Sequence, residues 1–443
     1  MLWKLEARMN LAISCRRPVI AQRATGSSLK SNCFKTLVAS LCFFSLSACA
    51  DSNRAPADLN MVVSISTDGN YAIATNTNKQ AVLWNLKDHS YKIVFKDANI
   101  YSAYFIKNTD DFMYQNDKSN EVIVEDTSGK IIKTFNPGFP AYGEVMTSDL
   151  SSWFASDRWF QLYKIDVKTG KKQQFFYYYC GPNYKDETPP PKGMPYACQE
   201  FLGSNQLFGL SLTPDNKRLI STASGAMYIW DVATTEQLKL LIKNDAQTVT
   251  AVNPDGSYII TGDIGSLGYH YNLKDGSGYR FFFFSPNSTP EINSFYRDND
   301  PGSAQIYPKA KFVANQILAL KFIGQNEVVT ILASVPNLFN YAPLYNMANM
   351  SSKPEFGGKH VIKPIKYLPL IPNAATDTTY KKDWPLTTDQ FSRDQAIDTS
   401  PSAHILVMSM AAKNGIIVYK YDPKTQTLKR EWAGVVKPSW KFW

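Results

Sequence analysis

Side chains able to do chemistry are few in this 443-residue chain, and most are scattered. The four histidines, His89, His270, His360 and His404, fall in separate stretches, and His270 in Gly-Tyr-His-Tyr-Asn alternates like a structural position. No HExxH, GxSxG or Walker-type loop is present. Ser27-Ser-Leu-Lys30 fits an SxxK pattern but lies in a basic leader, and Asp298-Asn-Asp300-Pro-Gly302 lacks the further acidic ligands of a calcium loop, so it reads as an Asx turn. These residues predict a protein without metal, cofactor or catalytic constellation, a non-enzyme. Thiol chemistry is better defined. Lys30 and Lys35 precede a 13-residue apolar run, Thr36 to Ala48, that is too short to span a bilayer and suits a signal-peptide core; Leu46-Ser-Ala-Cys49 ends it. Cys180 and Cys198 flank a Pro-rich stretch, with no His or further Cys beside them to complete a zinc site.

Leu46-Ser-Ala-Cys49 resembles a bacterial lipobox, in which small residues fit the lipoprotein signal peptidase and the Cys thiol is diacylated. The resemblance implies that residues 1–48 are removed, that Cys49 carries acyl chains each contributing about 0.8 kcal/mol per buried CH₂, and that residues 49–58, small and polar, form a tether. Ala50, with no Asp at that position, is similar to lipoproteins sent to the outer membrane, on its periplasmic face. In an oxidising periplasm Cys180 and Cys198 are then expected to form a disulfide, worth about 3 kcal/mol for a loop of this size. Net charge supports the division. Of 47 basic and 38 acidic residues, seven and one fall in residues 1–48, leaving 40 against 37. The mature part is near neutral, which argues against a nucleic-acid partner.

The elements that must carry these residues repeat. Leu207 to Leu241 reads as four short strands joined by turns, with Thr-Pro-Asp-Asn at 213–216 and Ile-Trp-Asp at 229–231. Copies with Asp255-Gly256 and Tyr271, and with Asp68-Gly69 and Trp84-Asn85, keep the same internal distance. Weaker copies span Tyr101 to Phe135, Ala141 to Phe176, Leu318 to Met347 and Gln395 to Trp432. A period near forty residues predicts an all-β array of seven units. Ser/Thr-Pro-Asp-Gly followed by Ile-Trp-Asp resembles WD-repeat β-propeller blades, which implies a seven-bladed β-propeller over 59–443. Gly-His dipeptides are absent, so the Asp-His-Ser-Trp network of that family is not expected. The turns Asp166-Val-Lys-Thr-Gly170 and Asp422-Pro-Lys-Thr also resemble quinoprotein-type propellers, among them the lipoprotein of outer-membrane protein assembly. A strand lent across the seam, from Asn60 to Ser64 or from Val435 to Trp443, is expected to close the ring.

Three insertions break the rhythm, at 177–204, 285–311 and 351–391. Loops on a rigid ring diverge freely, so partner-binding residues are expected there: Phe295, Tyr296, Lys359, Lys363, Lys366, Tyr367 and Trp384. An equal alternative is that these segments cap blade edges. The reading is a lipid-anchored periplasmic scaffold that docks envelope proteins, as a subunit of an outer-membrane assembly or secretion-system complex. A propeller hydrolase or carbohydrate-binding lipoprotein acting on envelope polymers is the alternative, and clustered carboxylates or histidines around the channel would favour it.

Overall fold

In several repeats apolar residues run continuously through the second or third strand, as in Ala81-Val-Leu-Trp84, rather than alternating with polar ones. Side chains of a strand point alternately to its two faces, so such a run buries both. In the computed structural model that is what happens: Val82 and Trp84 enter one apolar cluster and Ala81 and Leu83 another. The structure describes residues 62–436 apart from 77, 158–160, 179–195, 198–206, 224, 246, 264–266, 284–315, 334–340, 352, 354–359, 370–396 and 411–413. All of these belong to one compact unit, Asp58–Asn287 with Phe312–Trp443; the other unit, and with it the leader and most of the tether, lies outside the described residues.

Seven sheets form the ring of a seven-bladed β-propeller, with almost no helix. Their inner strands are Val63–Ile65, Ala98–Phe105, Gly143–Met146, Leu207–Leu212, Gln247–Val252, Gln316–Phe322 and Ile397–Ser400, for blades 1 to 7 in chain order. Each blade holds four antiparallel strands, and the sheets of blades 3 and 5 add a fifth that pairs parallel. Between every two neighbouring blades lies one of seven apolar clusters; the last joins blade 7 to blade 1 through Ile405, Val407, Ile416 and Val418 against Val63, Ile65 and Trp84.

The hairpin between inner and second strand repeats its chemistry. In blade 4 the Thr213 hydroxyl donates to Asp215 at 2.6 Å and accepts from the Arg218 N–H at 3.0 Å, while Asp215 accepts from the Lys217 N–H at 3.0 Å. Ser66 with Asp68, and Thr147 with Asp149, make the same bonds in blades 1 and 3. The residue after the Asp takes a positive φ, +74° at Gly69 and +56° at Asn216, which is why Gly or Asn suits it.

Of the segments expected to close the ring, 60–61 and 437–443 lie outside the described residues; among the described ones, Val63–Ile65 pairs within blade 1 and the outer strand Thr427–Val435 within blade 7, and face packing and hydrogen bonds join the two blades. Asp398 of blade 7 accepts from the Ser64 hydroxyl at 3.0 Å and the Ile65 N–H at 3.1 Å. Blade 6 is not complete at Met347; its outer strand is Lys366–Pro369, after an excursion in which His360–Ile362 pairs parallel to the outer strand of blade 5.

Part of the WD-type network survives. Trp230 Nε1 donates to the Ser221 hydroxyl at 2.9 Å. Trp84 occupies the same place in blade 1, but Ala74 stands where Ser221 would be, and Trp84 Nε1 is buried without a partner. Ala74→Ser is therefore expected to raise the unfolding free energy by about 1 kcal/mol, read as a higher thermal midpoint; a lower midpoint would mean that the hydroxyl does not reach the indole.

Candidate functional site

Strand direction sorts the loops onto two faces. Turns between first and second strands meet on one face, where they bond to each other: the Asn108 N–H donates to Thr67 Oγ1 at 3.1 Å, Asn216 to Ser148 at 2.6 Å, and Gln325 to Asp255 at 2.6 Å. By antiparallel alternation the connections from one blade to the next leave from the opposite face. The segments 179–206, 284–315 and 370–396 are all blade-to-blade connections, so the strand ends that flank them share that face. By contrast, blades 1 and 2 are joined through Asp97 alone.

Inner strands wall an axial cavity of about 410 Å³ to which all seven blades contribute. Two carboxylates lie at its wall, Glu144 on blade 3 and Asp398 on blade 7. Each is engaged. Asp398 is the seam acceptor, and Glu144 accepts from the Ser102 hydroxyl of blade 2 and from Trp153 Nε1 at 2.9 Å. Burial pushes the Glu144 carboxyl up to about 7, against the hydrogen bonds from Ser102 and Trp153 that favour its charged form. No histidine lines the cavity, and no group of three potential metal ligands occurs among the described residues.

The histidines serve packing. His89 stacks on Trp432 at 4.9 Å, and His404 faces the Ile323 carbonyl at 3.1 Å. His270 sits in a radial ladder, Tyr258, His270, Tyr279, His360, with centroids 4.7, 4.8 and 4.6 Å apart. Burial lowers the His270 value to about 4, so this ring is a neutral spacer at pH 7.

Of the residues expected to bind partners, Phe295, Tyr296, Lys359 and Trp384 lie outside the described residues, as do Cys49, Cys180 and Cys198. Lys363 is exposed. Lys366 and Tyr367 belong to the outer strand of blade 6 rather than to an insertion, and Lys366 Nζ donates to the Thr425 carbonyl of blade 7 at 3.1 Å. The 351–391 and 177–204 segments thus do supply edge strands, His360–Ile362 on blade 5 and Tyr196–Ala197 on blade 3. Sequence reasoning passed over Glu144, whose only signal was an acid inside an otherwise apolar strand, Gly-Glu-Val-Met.

No family model matches the chain, and no curated protein matches it. Among solved structures, a chain of a mitotic checkpoint complex is similar at 12% identity over 83% of this chain and 88% of that one, with a TM-score of 0.52. KlHsv2 with loop 6CD replaced by a Gly-Ser linker is similar at 8% identity over 84% and 98%, with a TM-score of 0.50. At such identities the likeness is one of fold: the chain is a seven-bladed β-propeller of WD-repeat-like build.

Glu144 supplies a pH test. Between its ordinary value and about 7 the folded chain holds a proton that the unfolded chain has released, so this group's contribution makes stability fall as pH rises through that window. Glu144→Gln, which can still accept from Trp153, is expected to flatten that fall. Glu144→Ala leaves the indole N–H without an acceptor and is expected to cost roughly 1–3 kcal/mol. Chemical denaturation from below pH 5 to pH 8 distinguishes them, and a Gln variant whose curve runs parallel to the parent's would refute the assignment.

Proposed function

We propose that this propeller is a non-enzymatic scaffold, anchored to the outer membrane by acyl chains on Cys49 and facing the periplasm, that docks envelope proteins of an assembly or secretion complex. The observation that carries the docking reading is the shared face from which the three long connections leave, since a rigid ring can vary such loops without disturbing its blades. The alternative, a hydrolase or carbohydrate-binding lipoprotein, calls for clustered acids or histidines at the channel. The two carboxylates there stand on blades 3 and 7, each committed to neighbouring groups, which favours the scaffold.

A photo-crosslinker placed within 371–391, or at Tyr142 ahead of the blade 3 inner strand, is expected to capture protein in intact cells of the native host, while one at Lys217 on the turn face is not. Capture of glycan alone, or of protein from the turn face alone, would count against the scaffold. The anchor is tested separately. The mature protein is expected to begin at a diacylated Cys49, and Cys49→Ser to release it from membranes; an unmodified Cys49 in the native host would remove the anchor while leaving the docking face untouched.

A further inference from the structure

The connection from blade 2 to blade 3, residues 136–142, carries Phe139, and the third strand of blade 3, Leu162–Asp166, carries Tyr163. Both rings are half-buried, and their centroids lie 4.8 Å apart with the planes tilted by 42°. Lys172, the first residue of the blade 3 outer strand Lys172–Tyr178, is exposed, and its Nζ stands 5.3 Å from each ring centroid. Two tilted rings facing one ammonium form an aromatic cage, held by the attraction of a cation to the negative faces of the rings.

The walls of the cage are fixed from behind. Phe139 packs on the buried Trp153 at 6.0 Å, and Glu144 holds that indole N–H at 2.9 Å. Tyr163 donates its hydroxyl to Asp157 at 3.1 Å, and Asp157 also accepts from the Gln161 N–H at 3.1 Å. A carboxylate on the phenol enriches the ring in electron density and places a negative charge beside the cage. The resident cation is held more loosely. Among the described residues the other partner of Lys172 Nζ is the Pro137 carbonyl, at 3.5 Å, and no carboxylate pairs with it. An exposed contact of this kind is weak, and a lysine that leaves it regains its hydration and its rotamer freedom. A quaternary ammonium has no N–H for water to hold, so it gives up less on entering, and it presents methyl groups to both rings.

We propose that Phe139 and Tyr163 form a binding site for a trimethylammonium group, which Lys172 fills in the absence of ligand and yields when the ligand arrives. Two rings suit a single head of this size, as borne by a choline-type solute or a lipid headgroup, rather than a length of peptide. The site rests on neither the docking reading nor the anchor, because the groups that build it all lie within residues 137–172.

Isothermal titration of the purified chain with choline, with glycerophosphocholine and with the uncharged dimethylbutanol isostere of choline tests this. Saturable one-to-one binding of choline or glycerophosphocholine is expected, the tighter of the two telling a free solute from a lipid headgroup, with the isostere weaker by about tenfold or more. Lys172→Ala removes the resident cation and is expected to tighten choline binding about two- to fivefold. Phe139→Leu keeps an apolar side chain against Trp153 but loses the ring face, and is expected to weaken binding by about tenfold. Thermal midpoints show whether the variants fold, and because Lys172 is exposed, its variant tests the site whatever the Phe139 change does to stability. Equal binding of the isostere, binding of neither cation by Lys172→Ala, choline affinity that this variant leaves unchanged or lowers, or undiminished binding by a folded Phe139→Leu would overturn the proposal.

Discussion

A blade with two apolar faces cannot cover either one itself, and this constraint shapes the whole molecule. Each face must meet the next blade, and the last must meet the first. Seven clusters meet that demand, one per interface, and alternate residues of a single strand serve different clusters. The seam between blades 7 and 1 is made like the others, with apolar packing around Trp84 and Trp432 and a polar clamp from Asp398 to Ser64 and Ile65. Gly434 is required there: a Cβ at that position would lie 2.5 Å from the Trp84 ring.

The outer edges pose the opposite problem, because unpaired strand edges invite pairing with other chains. Register shifts interrupt the outer pairing of blades 1, 2, 3, 4 and 7, adding twist that blunts the edge. Blade 5 has a regular outer ladder, and it receives His360–Ile362 as a fifth strand. The Tyr279 and His360 rings hold that strand in place, continuing a stack that begins at Tyr258. Blade 6 ends in a strand of only four residues that closes with Pro369. On blade 3, Tyr196–Ala197 adds a short edge strand as well.

Polar groups between blades share a logic. At the inner ends of the sheets small hydroxyls and acids bridge neighbouring blades: Ser64 accepts from the Phe105 N–H at 3.2 Å, and Thr399 donates to the Phe322 carbonyl at 2.6 Å.

Much of the architecture was legible in the sequence. Ser66-x-Asp68, Thr147-x-Asp149 and Thr213-x-Asp215 announce hairpins because each turn is satisfied by its own residues, and the near-forty period of these hairpins with Trp84 and Trp230 counts the blades. Other features could not be read. That blade 6 finishes at Lys366–Pro369, that His360 pairs beside Phe281, that Asp398 clamps blade 7 to blade 1, and that Glu144 is buried between Ser102 and Trp153 all depend on contacts between residues far apart in the chain or in different blades. The sequence by itself determined the turns, the strands and their number, because hydrogen bonding within a turn and alternation along a strand are local. Only the tertiary structure decided which edges are capped, how the ring closes and what faces the axis, because those follow from the space left once seven sheets have packed face to face.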